Sequence, residues 1–273
     1  MTDQFSRSRL IYGDAGVESL QNARVAVFGL GGVGGQVCEA LVRTGLGSID
    51  IIDHDVVDLT NLNRQIIATQ NTVGMRKIDA MEKRLASINP QCKIQKHDCF
   101  FLPETAPQFD FSCYDYIVDA IDAVTAKLEL IMCAKKAGVP IISAMGAGNK
   151  TDPTALRIAD ISETSVCRLA RIIRKELRKR GIEHVKVCYS TEPSITPDEK
   201  QENQEQVTEG QPTCADSHST LNADNAAPHV GSTTPHKGRR STPGSNAFVP
   251  CAMGLALAAE VVRSLTDKAT STN

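Results

Sequence analysis

Residues 27–35 read Val27-Phe28-Gly29-Leu30-Gly31-Gly32-Val33-Gly34-Gly35, a glycine cluster set between a short β-branched run and an amphipathic one. Such a cluster marks a turn from strand into helix. Gly29 permits the tight turn, and Gly31, Gly32 and Gly34 let the backbone approach an anion. The helix from Val33 adds unpaired N–H groups and the positive end of its dipole. The turn alone leaves its ligand open. A hydride-transfer dinucleotide and ATP both offer phosphates to it, and the glycines would also serve close helix–strand packing alone.

Working outward, Arg24–Phe28 and Ser48–Asp53 are strand-like runs flanking the amphipathic stretch 33–46. The pattern repeats: a helix at about 75–88, a strand at 93–97, "YIVDAID" at 116–122, a helix at 124–137, and "VPIISAMG" at 139–146. This alternation predicts an α/β fold, a doubly wound, Rossmann-like, mostly parallel sheet whose ligands sit at the carboxyl ends of the strands. Beyond Gly148, "ALRIADIS" and "HVKVCYS" flank a basic helix at about 166–180 and add extra C-terminal strands and helices to the same sheet. Residues 194–246 are rich in Ser, Thr, Pro, Gln, Asn and Glu, a composition that predicts a disordered low-complexity insertion. Apolar character returns at Ala247 and runs through a small-residue helix at 251–265. Residues 1–193 with 247–268 are therefore expected to form one nucleotide-binding domain.

Composition excludes other classes. A chain of 273 residues, 41% hydrophobic, can bury a substantial core. Thirty basic residues against thirty-two acidic ones give a net charge of −2, so no global field marks a nucleic-acid or membrane protein. The nine cysteines are odd in number and nowhere spaced Cys-x-x-Cys, which disfavours a disulfide framework and a four-thiolate zinc site. The sequence begins without a charged-then-apolar leader, and no apolar run approaches the roughly 18 to 20 residues of a membrane helix. These features read as a reduced, cytoplasmic protein with no membrane contact.

Asp53, about 20 residues beyond the glycines, is placed to bind a ribose hydroxyl of either nucleotide. The following segment separates the two ligands. The glycine turn satisfies a pyrophosphate by itself, whereas the β,γ end of ATP extends past it. Arg64 offers a planar fork for phosphate oxygens, Asn61 an amide, and Lys77 a compact charge at a helix start. Asp122, ending "YIVDAID", lies on the ligand rim where a carboxylate holds Mg²⁺ against a triphosphate; its alternative role is to cap the helix that follows. ATP and Mg²⁺ are thus the expected cofactors, ahead of NAD(P) and an oxidoreductase activity.

Together, "GLGGVG", Asp53, "NLNRQ", Lys77 and "DAID" resemble the ThiF/MoeB/HesA, or ubiquitin-activating-enzyme-like, superfamily, whose members adenylate a carboxylate. "DAID", the Arg-rich helix followed by "VCYSTEP", and "FVPCAMG" are most similar to its TcdA (CsdL) branch, the tRNA threonylcarbamoyladenosine dehydratases. The resemblance implies an ATP-binding adenylating domain, a tRNA substrate, and ATP-dependent cyclisation of threonylcarbamoyladenosine through an acyl adenylate. It assigns catalytic roles to Arg64, Lys77 and Asp122. "FSR" at 5–7 resembles the segment whose arginine reaches the neighbouring subunit's ATP, which implies a homodimer and a role for Arg7. A cysteine-desulfurase or sulfur-acceptor partner is a further implication. The absence of paired Cys-x-x-Cys motifs lowers the alternative reading, activation of a sulfur-carrier or ubiquitin-like protein.

Cys251 has two readings. Its "CAxG" position in some relatives is linked to sulfur relay or covalent catalysis, and a helix N-terminus lowers a thiol pKa. The Ala- and Leu-rich helix around it favours a small buried hydrophobe. His54 reads as a surface loop residue. In the basic helix, Val166, Leu169, Ala170, Ile173 and Leu177 are expected to form an apolar face opposite Arg168, Arg171, Lys175, Arg178 and Lys179, a pattern compatible with an RNA-backbone surface.

Overall fold

The computed structural model describes residues 3–196 and 243–270. Residues Met1–Ile195 and Ser245–Asn273 belong to one compact unit. The other unit, Thr196–Gly244, and with it nearly all of the expected low-complexity insertion at 194–246, lies outside the described residues.

In chain order the elements are α1 (Ser6–Asn22), β1 (Arg24–Phe28), α2 (Gly34–Thr44), β2 (Ser48–Ile52), α3 (Lys77–Ile88), β3 (Lys93–His97), β4 (Tyr116–Asp119), α4 (Val124–Ala137), β5 (Ile141–Ala144), β6 (Leu156–Asp160), α5 (Arg168–Arg178), β7 (Lys186–Ser190) and α6 (Val249–Thr270). One seven-stranded sheet has the order β3-β2-β1-β4-β5-β7-β6. All pairings are parallel except β6 with β7. The chain therefore winds outward from β1 to β3 and then returns to β4 on the other side of β1. The crevice at that reversal, beyond the carboxyl ends of β1 and β4, is where such sheets bind ligands. The expected doubly wound α/β architecture is the one observed.

Two cores form because alternate strand residues face opposite sides of the sheet. Val25, Val27, Ile49, Ile51 and Val118 join a core with Leu41 of α2, Leu85 of α3 and Leu257 of α6. Ala26, Phe28, Ile52 and Ile117 join a second core with Leu130 of α4 and Ile173 of α5. The inner strands β1, β2, β4 and β5 are buried on both faces, so they read as nearly continuous apolar runs. The edge strand β3 alternates with solvent.

Four elements depart from the sequence reading. The N-terminal helix α1 carries no clear apolar stripe, and Gly13 breaks it with φ 70°. α5 begins at Arg168, so Val166 is not on its buried face: it is 56% exposed, with φ 61°. β4 ends at Asp119, three residues before Asp122. α6 is longer than expected, and Val249–Asp267 is a 19-residue apolar stretch of mean hydropathy 1.3, long enough to cross a membrane. That corrects the expectation that no such run exists. Of this stretch 61% is buried within the fold, where Met253, Leu257 and Val261 fill the first core.

The most connected buried charge of the sheet is Asp50 on β2. It accepts from Arg24 Nε at 2.8 Å and Nη2 at 2.9 Å, from Tyr114 at 3.1 Å, and pairs with His97 Nε2 at 2.8 Å. Burial pushes its carboxyl upward, but the hydrogen bonds from His97, Arg24 and Tyr114 outweigh it and hold it below the usual range. A lowered folded pKa means stability that is complete above the unfolded value of about 3.9 and lost as pH falls through the folded value. Asp50→Asn is expected to destabilise the fold by about 3 kcal/mol at pH 7. In urea titrations from pH 7 to 3, the gap between wild type and variant should narrow below about pH 4.

Candidate adenylate-forming site

Gly29 sits at φ 92° where β1 runs into the turn, and its N–H donates to the Ile52 carbonyl at 2.8 Å. A Cβ there would stand 2.7 Å from the Ala120 carbonyl oxygen, so only glycine lets the β1 turn lie against the β4 turn. A Cβ on Gly34 would fall on the Gly29 carbonyl. A Cβ on Gly31, by contrast, would meet nothing within 4 Å, so the turn is open on that side. α2 opens behind it without a side-chain cap on Val33, and of its first-turn amides Gly35 N–H is taken by the Gly31 carbonyl at 3.0 Å.

Asp53 follows β2 and binds backbone on both sides. Its Oδ2 accepts from Leu30 N–H at 2.7 Å and its Oδ1 from Asp55 N–H at 2.8 Å. The carboxylate thus ties the glycine turn to the loop after β2. Lys77, the first residue of α3, is buried, and its Nζ donates to Asp55 Oδ2 at 2.7 Å. Asp55 is the functional neighbour that sequence reasoning missed, because nothing in the order of residues pairs it with a lysine 22 positions on. His54 lies between these carboxylates, with Nε2 at 2.8 Å from Asp55 Oδ1.

Asn61 is buried, and its Oδ1 accepts from Asp58 N–H at 3.2 Å in a capping box. Arg64 is held by Nη1 on the Thr60 carbonyl at 2.9 Å and on Asn63 Oδ1 at 2.8 Å. Its Cγ and carbonyl oxygen would each be 3.3 Å from a Cβ on Gly32, so Arg64 lies directly over the glycine turn. Pro250, at the start of α6, would be 3.1 Å from the same Cβ.

Cys251 stands beside Pro250, and its Sγ–H donates to the Arg64 carbonyl at 3.4 Å. Burial pushes its thiol pKa up, against a hydrogen bond from Gln36 that lowers it. The group is therefore a thiol at neutral pH, unlike the thiolate that a nucleophile requires.

Asp122 is exposed on the turn after β4 and makes no hydrogen bond or ion pair among the described residues. The alternative capping role is excluded: the N-cap of α4 is Ala123, and no side chain caps that helix. The turn is shaped from below by a fully buried pair, Lys127 Nζ on Asp119 Oδ2 at 2.9 Å, joined by the Ser143 hydroxyl. Asp119 Oδ1 accepts from Ile121 N–H at 3.1 Å, so this network sets the backbone that presents Asp122.

Arg7 is not brought to this cluster. The buried ring of Phe5 would be 3.4 Å from a Cβ on Gly45, at the end of α2 where the chain enters β2, so it lies at the amino ends of the strands, the end of the sheet opposite the glycine turn. Arg7 itself is exposed, with no hydrogen-bond or ion-pair partner among the described residues.

An open, doubly wound sheet with this turn and a basic, hydrogen-bonded rim defines a nucleotide-binding α/β protein. Residues 5–273 match the ThiF family, and the chain belongs to it. It is 40% identical over 266 residues to the tRNA threonylcarbamoyladenosine dehydratase of Bacillus subtilis, covering 97% of this chain and 95% of that one. The Escherichia coli dehydratase is 35% identical over 202 residues, 71% of this chain and 75% of its own. Among solved structures, Escherichia coli TcdA in complex with ATP superposes with a TM-score of 0.79 at 28% identity, covering 99% of this chain and 96% of that one.

The thiol state of Cys251 is directly measurable. Peptide-resolved alkylation by iodoacetamide is expected to be slow at pH 7 and to accelerate only above the ordinary thiol pKa of about 8.5. Rapid labelling of Cys251 at pH 7 would show a thiolate instead.

Proposed function

We propose that this chain is an ATP-dependent tRNA threonylcarbamoyladenosine dehydratase, which cyclises the modified base through an acyl adenylate. The observation that carries it is near full-length similarity to dehydratases, combined with Asn61, Arg64 and Lys77 set beyond a glycine turn that would alone suffice for a pyrophosphate.

The threonyl carboxylate is already ionised at pH 7, so its attack on the α-phosphorus needs positioning and charge neutralisation and no general base. A carboxylate oxygen bonds to the α-phosphorus as the bond to the β-phosphate bridging oxygen breaks, giving the acyl adenylate and pyrophosphate. A nucleophile within the same modified side chain then attacks the activated carbonyl carbon. Its bond closes the ring, AMP carries away the carboxylate oxygen, and the net change is loss of water. In this reading the amides of the turn and of α2 bind phosphate, and Asp53 binds the ribose. Arg64 and Lys77 neutralise the phosphate charge that moves during adenylation, with Asn61 holding the phosphates. Asp55 keeps the Lys77 ammonium in place until the nucleotide competes for it. Asp122 has a free carboxylate of the hard-oxygen type that Mg²⁺ takes, and bound Mg²⁺ would supply further neutralisation of the triphosphate. Cys251 acts as packing under Arg64.

The active form in this proposal is a homodimer in the cytoplasm, where Arg7 of one subunit completes the site of the other. The position of the Arg7 segment near the amino ends of the strands, away from the glycine turn of its own chain, supports action in trans.

ATP–pyrophosphate exchange, measured with and without threonylcarbamoylated tRNA, tests the reaction: exchange dependent on the modified tRNA is expected. Arg64→Ala and Lys77→Ala should each lower it by about 10²-fold or more while leaving the circular dichroism spectrum intact. Wild-type exchange in a folded Lys77→Ala protein would remove that lysine from the chemistry.

Subunit complementation tests Arg7. Mixing inactive Arg7→Ala and Lys77→Ala proteins should restore partial turnover, because a heterodimer keeps one intact site. No recovery after subunit exchange, verified with differently tagged chains, would reject action in trans.

A further inference from the structure

Seven basic residues lie between Arg168 and Arg180, with Glu176 the only acid among them. The structure separates them into two groups. Arg174 is part of the fold: its Nη1 donates to the Thr164 carbonyl at 2.8 Å, the Thr164 hydroxyl at 2.6 Å and the Ile161 carbonyl at 3.2 Å. Lys179 and Arg180 pair with Glu176 at 2.6 and 3.0 Å. The remaining four, Arg168, Arg171, Lys175 and Arg178, are exposed and have no carboxylate partner among the described residues. Their spacing of three, four and three residues sets them along one side of α5, while Ala170, Ile173 and Leu177 are buried on the other. The stripe is about 15 Å long at 1.5 Å per residue.

Its position ties it to the site. Gly146, just past the carboxyl end of β5, would place a Cβ 3.6 Å from Cys167 Sγ and 3.9 Å from Leu169, so α5 begins at the ligand rim. Four residues on, the Lys150 carbonyl accepts from Asn246 Nδ2 at 2.7 Å, beside the segment that leads into Pro250 and Cys251. One loop, Gly146–Lys150, thus touches both the root of the stripe and the approach to the nucleotide turn.

We propose that Arg168, Arg171, Lys175 and Arg178 form the surface that holds the phosphodiester backbone of the substrate tRNA. The proposal rests on the dehydratase reading above and names the part of the chain that binds its macromolecular substrate. Four like charges on one rigid face repel one another, and a polyanion relieves that repulsion. Phosphate contacts carry no sequence information, so the stripe orients any tRNA and leaves base recognition to the mouth of the site. It also accounts for how a chain of net charge −2 meets a polyanion: the positive field is local to one helix.

The test uses the full chain carrying Arg171→Glu, Lys175→Glu and Arg178→Glu. A charge-matched control carries Lys83→Glu, Lys135→Glu and Lys136→Glu, three exposed residues elsewhere. Binding of threonylcarbamoylated tRNA is read by fluorescence anisotropy over about 50 to 300 mM salt, and ATP binding by calorimetry. The stripe variant should lose at least about tenfold in tRNA affinity near 100 mM salt, and its log–log salt slope should flatten by about 2 to 3. Its ATP affinity and melting temperature should match wild type, and the control should keep the wild-type slope. Unaltered tRNA binding in the stripe variant, or an equal loss in the control, overturns the proposal. Wild-type protein that neither binds nor cyclises the modified tRNA would overturn the dehydratase reading and this inference with it. Wild-type turnover with an unimpaired stripe variant overturns the inference alone.

Discussion

The carboxylate of Asp53 joins the two halves of the nucleotide site. One oxygen holds the N–H of Leu30 inside the glycine turn and the other holds the N–H of Asp55 after β2. Asp55 in turn holds Lys77 at the head of α3. Two neighbouring side chains, Asp53 and Asp55, therefore tie the glycine turn and the head of α3 to the loop after β2, through hydrogen bonds to a charge that are roughly twice as strong as neutral ones. The turn has a second constraint beneath it, the approach of Gly29 to the Ala120 carbonyl, which brings the β4 turn and Asp122 against β1. The glycine turn and the turn that carries Asp122 are consequently set against each other by backbone contact, and the Lys77 ammonium is placed by its pairing with Asp55.

Much of this was legible in the sequence, for a physical reason. Strands buried on both faces must be apolar throughout, so β1, β2, β4 and β5 announce themselves as short runs, and the helices between them carry single apolar stripes. Glycine at 29 and 34 is required by contacts that no side chain survives, so the turn reads clearly too. What escaped reading depends on distance through space. Asp55 meets Lys77, and Asp119 meets Lys127 and Ser143, only after the sheet has formed. On a helical wheel Arg174 resembles its basic neighbours, yet its guanidinium is used up by the carbonyls of Ile161 and Thr164. Arg7 and Asp122 stand in local motifs, but the place of the one near the amino ends of the strands, and the lack of a partner for the other among the described residues, follow from tertiary structure alone. Val166 was assigned to an apolar face by periodicity, although the helix starts two residues later.

Charge is distributed by function and depth. Inside the sheet, Asp50 and Asp119 are each surrounded by donors and serve geometry. At the rim, Lys77 pairs with the exposed Asp55, and Arg64 is steadied by a carbonyl and an amide oxygen with no carboxylate partner among the described residues. On α5, Arg168, Arg171, Lys175 and Arg178 have no carboxylate partner among the described residues. This gradient, from paired to unpaired, runs from the buried sheet to its rim and the exposed face of α5, in keeping with the cost of burying an unmatched charge.

The place of α6 in the chain has a consequence for biosynthesis. Met253, Leu257 and Val261 complete the first core against α2, yet they are translated after every other element that this core contains. A ribosome adding about 5 to 20 residues per second leaves the apolar face of α2 uncovered for seconds while the segment from Thr196 to Gly244 is made. The nascent protein is thus most exposed to aggregation and to chaperone capture in that interval, and a longer intervening segment would prolong it without altering the finished fold.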